Sequence, residues 1–266
     1  YNIMNKRDLE ILVTNDDGYS AKGIDVLANL LLKYGNVTVI APEKAQSGMS
    51  VALSLAYKVR FHKISEKEEN GRRLRIYALT GTPADCVKMA MNSFFSIDNK
   101  PDLLVSGINH GSNASAASIY SGTLGAATEG SIYGIPSVGL SLSADLKDPD
   151  FSHIGPYIEK VIENTIACPP KKGVYLNVNF PYLKRDEIKG FKFAKQGMGM
   201  WIKEFHPSRE EGEEELYYMT GEFLDTDNSD IADHKVVSEG YISVVPHNID
   251  TTDYAEMERL RLTWNL

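Results

Sequence analysis

Residues 9–18 read LEILVTNDDG, a short apolar run that ends in two adjacent carboxylates and a glycine. The run Ile11–Val13 is typical of a buried strand, and the polar residues after it mark the point where the chain turns. A helix is predicted next, over about residues 24–33, and then a second strand over about 37–40. This strand–helix–strand order predicts parallel strands joined by crossover helices.

The same alternation continues to about residue 182. Further strands are predicted over about 102–105, 136–142 and 174–178, and further helices after Pro83, after Gly122 and over about 155–167. Near-continuous apolar strands separated by helices are typical of a parallel sheet covered on both faces. We therefore expect a Rossmann-like α/β fold, a mostly parallel sheet between two layers of helices.

The second half of the chain has a different character. Residues from about 184 to 240 are rich in charge and lack a long amphipathic pattern, so we expect β-hairpins that project from the core. A strand over about 241–245 and a helix over about 254–262 are expected to return to the main body. These expectations describe one domain over residues 8–266, with a core (about 8–182), protruding hairpins (about 184–240) and a returning strand and helix (about 241–266).

Composition limits the classes of partner. A net charge of −8 provides no general attraction for a nucleic-acid backbone, so no nucleic-acid polymer is expected as a partner. The two cysteines, Cys86 and Cys168, lack the spacing of a disulfide framework or a zinc site. No apolar run reaches the roughly 18 residues of a membrane helix, and no signal segment is recognisable. We expect a cytoplasmic protein without a membrane partner.

Four polar segments follow predicted strands or open a predicted helix. They are Thr14–Gly18, Gln46–Ser50, Ser106–Gly111 and Tyr120–Thr123. In open α/β sheets, ligands bind beyond the carboxyl ends of the strands, near the point where the strand order reverses. We therefore expect the four segments to converge on one edge of the sheet and to form a single site.

Asp16 and Asp17 are the strongest candidates within these segments. Adjacent carboxylates repel each other, and a divalent cation bound by oxygen ligands would relieve that repulsion. The structural alternative is an Asx-type turn that places Gly18 at a positive φ.

Each of the other three segments has a functional and a structural interpretation. The hydroxyl of Ser47 beside Gly48 can ligate a metal or donate to phosphate, but serine and glycine are also ordinary loop residues. The glycines around Asn109 suggest either backbone held close to a ligand or a plain loop. The first-turn amides of the helix after Ser121 suit a phosphate, whereas Ser121 itself suits an ordinary N-cap.

Taken together, the motifs resemble those of the SurE family of nucleotidases in order and spacing. They are NDDG at 15–18, SGMS at 47–50, GTPADCV at 81–87, SGIN at 106–109, YSGT at 120–123 and AATEG at 126–130. The resemblance is strong over about residues 9–142 and weaker beyond, through GEFLDTDNSD at 221–230 and GYISVVP at 240–246. It implies a phosphatase of nucleoside 5′- and 3′-monophosphates, assembled as a homodimer or homotetramer. Some members of the family also shorten polyphosphate.

The resemblance also implies the residues of the site. The implied metal ligands are Asp16, Asp17, Ser47 and Asn109, which would hold one Mg²⁺ or Mn²⁺ per subunit. The residue types agree, because four oxygen donors without histidine or cysteine suit a hard cation. Asp16, Asp17 and Asn109 are the predicted catalytic residues. The predicted phosphate contacts are Asn15, Ser47, Gly48, Ser106, Ser121, Gly122 and Thr123.

Attack by a metal-oriented water is the expected chemistry, because adjacent aspartates lack the DxD spacing of aspartyl-phosphate phosphatases. His110 is either a group that supports a ligand or a structural histidine. A dinucleotide-dependent oxidoreductase is disfavoured, since the first turn lacks GxGxxG. A non-catalytic nucleotide-binding or assembly protein remains an alternative. The chain departs from the family at Ala114–Ser118, where relatives often carry a glycine and an acidic residue.

Overall fold

The computed structural model describes residues 7–144, 146, 148–210 and 215–264, so the last two residues of the expected 8–266 domain lie outside the described residues. The strands are β1 (Leu9–Thr14), β2 (Gly35–Pro42), β3 (Phe61–Glu69), β4 (Arg72–Leu79), β5 (Leu103–His110), β6 (Ser137–Ser143), β7 (Val174–Pro181), β8 (Phe191–Phe193), β9 (Gly199–Ile202), β10 (Phe205–Pro207), β11 (Tyr217–Met219), β12 (Glu222–Asp225) and β13 (Ile242–Asn248). The helices are α1 (Lys22–Leu31), α2 (Pro83–Ser93), α3 (Ala117–Tyr120), α4 (Gly122–Ile132), α5 (Gly155–Ala167), α6 (Asp233–Ser238) and α7 (Tyr254–Thr263), and a 3₁₀ turn (Ser152–Ile154) precedes α5.

Nine strands form the main sheet, in the spatial order β3-β4-β2-β1-β5-β6-β7-β13-β8. The six neighbours from β4 to β7 are all parallel, whereas β3 and β13 run antiparallel to β4 and β7. The prediction of a mostly parallel, Rossmann-like α/β sheet is therefore confirmed. The strand order reverses between β1 and β5, and ligands bind at such switch points.

The central strand β1 is covered on both faces. Ile11 and Val13 pack with Leu27 of α1 on one side, whereas Leu12 packs with Val87 of α2 on the other. All five side chains are fully buried. Burying a side chain of this size contributes about 1.5–3 kcal/mol relative to leaving it exposed. The continuous apolar run that predicted β1 therefore reflects burial on two faces. The end of this buried strand at Thr14 determines where the following turn begins.

The first half of the chain contains a hairpin that the apolar pattern did not predict. β3 and β4 pair antiparallel at the edge of the main sheet, and most of β3 is exposed. Its sequence, FHKISEKEE, is rich in charge, as is common for exposed edge strands. Phe61 at the start of β3 stacks on Tyr77 near the end of β4 at a ring-centroid distance of 5.2 Å, which secures the end of the hairpin away from its turn.

The C-terminal part forms the expected hairpins. β9 pairs antiparallel with β12, and β10 pairs antiparallel with β11. β13 returns to the main sheet beside β7. α7 forms where a helix was expected, but none of its residues is buried, so its expected packing against the main body is not observed. Within the described ranges, no helix combines the length and apolar character required to cross a bilayer.

Candidate active site

The turn after β1 is built by the side chain of Asn15. Its Nδ2 donates to the carbonyl oxygen of Gly18 at 2.9 Å, and the Gly18 N–H donates to its Oδ1 at 3.1 Å. Gly18 has a φ of 101°, a conformation that glycine adopts without steric cost. The Asx-type turn considered from the sequence therefore forms, and it presents Asp16 and Asp17 beyond the carboxyl end of β1.

Asp16 is 6% exposed and is held by the start of α4. The Thr123 hydroxyl donates to its Oδ1. A Cβ at position 122 would lie 2.8 Å from the Asp16 Cβ and 3.1 Å from its Oδ2, so glycine there permits the close approach. Burial raises the pKa of Asp16 to about 6; the hydrogen bond from Thr123 opposes this rise, and the charge of Asp17 adds to it.

Asp17 is held by the end of β5. The backbone N–H of His110 donates to its Oδ2 at 3.1 Å. Burial raises the pKa of Asp17 above its ordinary value, although the bond from His110 lowers it. Two neighbouring carboxylates are thus both disfavoured as anions, and a bound cation would stabilise their charged forms.

A bulge in β5 positions Asn109. The pairing register between β5 and β6 shifts between Ser106 and Asn109. Gly107 within the bulge has a φ of 131°, and a Cβ there would lie 2.4 Å from the carbonyl oxygen of Leu140. The Asn109 Nδ2 donates to the carbonyl oxygen of Gly111 at 2.9 Å. No donor from the described part of the chain reaches its Oδ1, which is the atom a hard cation would bind.

The loop after β2 approaches the same turn. The N–H of Gln46 donates to the backbone oxygen of Asp16 at 2.7 Å. Ser47 and Gly48 follow immediately and are exposed. Ser50 is bonded to α3, since its N–H donates to the oxygen of Tyr120 at 3.0 Å and its hydroxyl to that of Ile119 at 2.8 Å. Backbone contacts therefore bring Ser47 beside the aspartate turn.

The start of α4 supplies the last part of the site. The Ser121 hydroxyl accepts the N–H of Leu124 at 3.1 Å, which is the ordinary N-cap interaction. The amides of the first turn and the helix dipole still favour an anion at this end. All four polar segments predicted from the sequence thus meet at Asp16 and Asp17, through contacts from Gln46, His110 and Thr123.

Three of the seven residues predicted to contact phosphate are fully buried, namely Asn15, Ser106 and Thr123. The structure gives Asn15 and Thr123 other roles, because the first forms the turn and the second supports Asp16. The hydroxyl of Ser106 has no hydrogen-bond partner within the described residues. Their contact with phosphate, and that of Ser47, Gly48, Ser121 and Gly122, stays a prediction.

Sequence reasoning missed the role of two residues at the start of α2. Thr82 and Asp85 form a capping box, and both also contact the loop that carries Ser47. The T-x-x-D spacing is a recognisable capping pattern that could have located the start of the helix. The second set of contacts depends on tertiary packing and leaves no local signal.

The donor set fits a hard cation. The candidate ligands are two carboxylates, one hydroxyl and one carboxamide oxygen. Mg²⁺ and Mn²⁺ favour oxygen ligands of this kind. Within the described ranges, no three or more histidine, cysteine or acidic residues are grouped so that they could hold a metal.

Comparison with known proteins gives a consistent result. Residues 11–203 match the family model described as "Survival protein SurE". A protein named 5′-nucleotidase SurE from Christiangramia forsetii is 41% identical over 263 residues, which cover 99% of each chain. One of the same name from Caldanaerobacter subterraneus subsp. tengcongensis is 38% identical over 259 residues, covering 96% of this chain and 97% of the relative.

A solved structure has the same fold. The crystal structure of the SurE protein from Aquifex aeolicus is similar with a TM-score of 0.76 and 31% sequence identity, covering 95% of this chain and 98% of that chain. The family match includes β1, the loop after β2, β5 and α4, which together form the candidate site. This chain belongs to the SurE family of survival proteins.

Proposed function

We propose that this protein is a divalent-metal-dependent phosphatase that releases phosphate from nucleoside 5′- and 3′-monophosphates. One observation carries the proposal: two adjacent aspartates with raised pKa values, Asp16 buried and Asp17 half-buried, lie at the switch point of the sheet, beside the strand end that carries Asn109. Several relatives of similar length are named 5′-nucleotidase SurE, which supports the same class of substrate.

Asp16, Asp17, Ser47 and Asn109 would hold the metal, Mg²⁺ or Mn²⁺, with one ion per subunit. A bound divalent ion would supply Lewis acidity for the phosphoryl oxygens and would make a water molecule more nucleophilic. Asp16 and Asp17 supply the negative charge that holds it. Thr123 and the His110 amide keep the two carboxylates apart in fixed orientations.

The start of α4 would bind the phosphate. Its first-turn amides and the positive end of the helix dipole lie directly beside Asp16, because Gly122 leaves room for the close approach. Ser121 fixes the first turn as its N-cap. These donors would stabilise the charge that develops on the phosphoryl oxygens during attack.

Activity toward 3′-nucleotides and polyphosphate, and a cytoplasmic location, belong to the proposal as well. The test is phosphate release from 5′-AMP, 3′-AMP and polyphosphate, measured after EDTA treatment and again after addition of Mg²⁺ or Mn²⁺. We expect metal addition to restore release, with the mononucleotides preferred. A protein that binds AMP but shows no metal-stimulated release would contradict the proposal and favour a non-catalytic nucleotide-binding or assembly role.

A further inference from the structure

The loop from Glu43 to Leu55, here called the Ser47 loop, is fixed by residues outside the metal site. We propose that Thr82, Asp85 and Gly125 are positioning residues that hold the Ser47 loop against the aspartate turn. The inference rests on the proposed function, because the position of Ser47 matters for activity only if Ser47 serves the metal site.

The first anchor is the capping box of α2. Thr82 Oγ1 accepts the N–H of Asp85 at 3.1 Å, and Asp85 Oδ2 accepts the N–H of Thr82 at 2.9 Å. Both side chains also bond to the Ser47 loop. The N–H of Ser54 donates to the Asp85 carboxylate at 3.2 Å, and the Thr82 hydroxyl donates to the backbone oxygen of Ala52 at 2.6 Å. One pair of side chains therefore serves a helix and a loop together.

The charge state of Asp85 suits this double role. Burial raises the pKa of its carboxyl group, but the hydrogen bonds from Ser54 and Thr82 outweigh burial and hold the pKa below its ordinary value. The group is thus an anion at neutral pH, and hydrogen bonds to an anionic acceptor are stronger than those between neutral groups.

The second anchor is the surface of α4 at Gly125. A Cβ at this position would lie 1.9 Å from the carbonyl oxygen of Ser50 and 2.6 Å from its carbonyl carbon. Backbone atoms cannot move aside as the end of a flexible side chain can. Only glycine therefore allows Ser50 to lie directly on α4 while its N–H and hydroxyl bond to Tyr120 and Ile119 of α3.

These anchors enclose Ser47. On its N-terminal side, Gln46 is bonded to the backbone of Asp16; on its C-terminal side, Ser50 lies on α4 and Ser54 is bonded to α2. The exposed residues Ser47 and Gly48 span the gap between them. A ligand held in place before the metal arrives loses less conformational entropy on binding. Loss of an anchor should therefore weaken metal binding more than turnover at saturating metal.

Two substitutions with matched controls test this. Asp85→Ala removes the α2 cap together with the bond to Ser54, whereas Asp253→Ala removes the N-cap of α7, where Asp253 accepts the N–H of Glu256. Gly125→Ala places a methyl group against Ser50. Gly155→Ala adds one at another helical glycine, whose nearest neighbouring atom would be Leu30 Cδ1 at 3.7 Å.

We expect Asp85→Ala and Gly125→Ala to raise the Mn²⁺ concentration for half-maximal phosphate release from AMP by about 10–100-fold, the usual cost of losing support for a metal ligand. The value of kcat at saturating Mn²⁺ should change by less than about threefold, because these residues are proposed to affect metal binding and not the step that follows it. The amide of Ser54 should lose protection from hydrogen exchange in Asp85→Ala, and both control variants should match the wild type.

The combination with Ser47→Ala separates positioning from general damage. If Asp85 acts through Ser47, Asp85→Ala should have a smaller effect when Ser47 is already replaced. The half-maximal Mn²⁺ concentration should therefore rise by a clearly smaller factor from Ser47→Ala to the double variant than from the wild type to Asp85→Ala. Additive effects would overturn the inference. So would unchanged Mn²⁺ dependence in Gly125→Ala protein that is folded by circular dichroism; the higher helix propensity of alanine offsets part of the cost of its contact with Ser50.

Failure of the proposed function gives a different result. If the wild-type protein shows no metal-dependent phosphate release, the proposed function is wrong, and hydrogen exchange at Ser54 in Asp85→Ala still tests the anchor. If wild-type release is metal-dependent and the two variants behave as their controls, only the positioning inference is wrong.

Discussion

Asp16 and Asp17 are adjacent in the chain but are held by different elements. Asp16 is nearly fully buried against α4, whereas Asp17 is less buried and bonds to the end of β5. One carboxylate is thus held by α4 and the other by the end of β5, so the separation of the two depends on how α4 and β5 are placed relative to each other. The sequence predicted the pair and its place after β1, but not the partners, because those contacts join residues more than 90 positions apart.

The first prediction concerns the charge of this pair. Asp16→Asn or Asp17→Asn should lower metal-dependent phosphate release by at least about 100-fold, because each removes one of the proposed charged ligands. In EDTA, the melting temperature should stay equal or rise, since one of two neighbouring, mutually repelling charges is removed. Circular dichroism melts and phosphate assays measure both effects. Asp98→Asn, at an exposed aspartate, is the control. Near wild-type turnover in both variants would refute the site assignment.

The second prediction compares Asn109 with His110. Asn109→Ala removes the carboxamide oxygen proposed as a ligand. His110→Ala keeps the backbone N–H that donates to Asp17, so the contact survives the substitution. We therefore expect Asn109→Ala to raise the metal concentration for half-maximal activity by about 10-fold or more, and His110→Ala to have the smaller defect. A larger loss in His110→Ala would instead require an acid–base role for the imidazole.

At the scale of elements, the strands buried on both faces were predictable, whereas the edge hairpin of β3 and β4 was not. β1, β2, β5, β6 and β7 lie where the apolar runs placed them, because burial on both faces produces a strong and local signal. β3 was missed because an exposed edge strand needs no apolar side chains over most of its length. α6 was missed because it spans only Asp233–Ser238 and follows a charged segment. Short elements of this kind depend on tertiary contacts.

The bulge in β5 affects the whole strand end, since the backbone conformation of Gly107 sets the direction of the segment that carries Asn109. Gly107→Ala should be destabilising for two reasons: its φ is 131°, and a Cβ would contact the oxygen of Leu140. We expect a loss of about 1–3 kcal/mol from the backbone conformation, with an additional loss from the contact. Chemical denaturation would measure the change, and AMP assays should show reduced metal affinity.

Gly190→Ala is the matched control for this third prediction. Gly190 has a φ of 111°, but a Cβ there would meet no atom within 4 Å. Gly190→Ala should therefore lose only the stability that a positive φ costs a residue other than glycine, and its metal affinity should be unchanged. Equal destabilisation in the two variants, with unchanged metal affinity in Gly107→Ala, would show that the bulge does not position Asn109.

At the scale of the whole molecule, the hairpins leave apolar side chains uncovered. Nine of the aromatic and methionine residues between 191 and 223 lie among charged residues at strand-like spacing, a pattern that predicts contact with a second subunit. Seven of them are exposed, from 41% for Trp201 to 81% for Phe193: Phe193, Met198, Met200, Trp201, Phe205, Tyr217 and Tyr218. Phe191 packs against the core, and Phe223 is part-buried beside Trp201, so folding back on the same chain accounts for only these two.

The last prediction is that the protein forms at least a dimer, because extensive exposed apolar surface usually marks an interface between proteins and identical chains usually cover it through a symmetric contact. Sedimentation at micromolar concentration should show an assembly of two or four subunits. The double substitution Phe205→Ser with Tyr218→Ser, which alters two exposed side chains on the paired strands β10 and β11, should shift it toward the monomer. Ile97→Ser, at an equally exposed apolar residue outside the hairpins, should not. A monomeric wild-type protein with full phosphatase activity would refute both the assembly and its role in supporting the site.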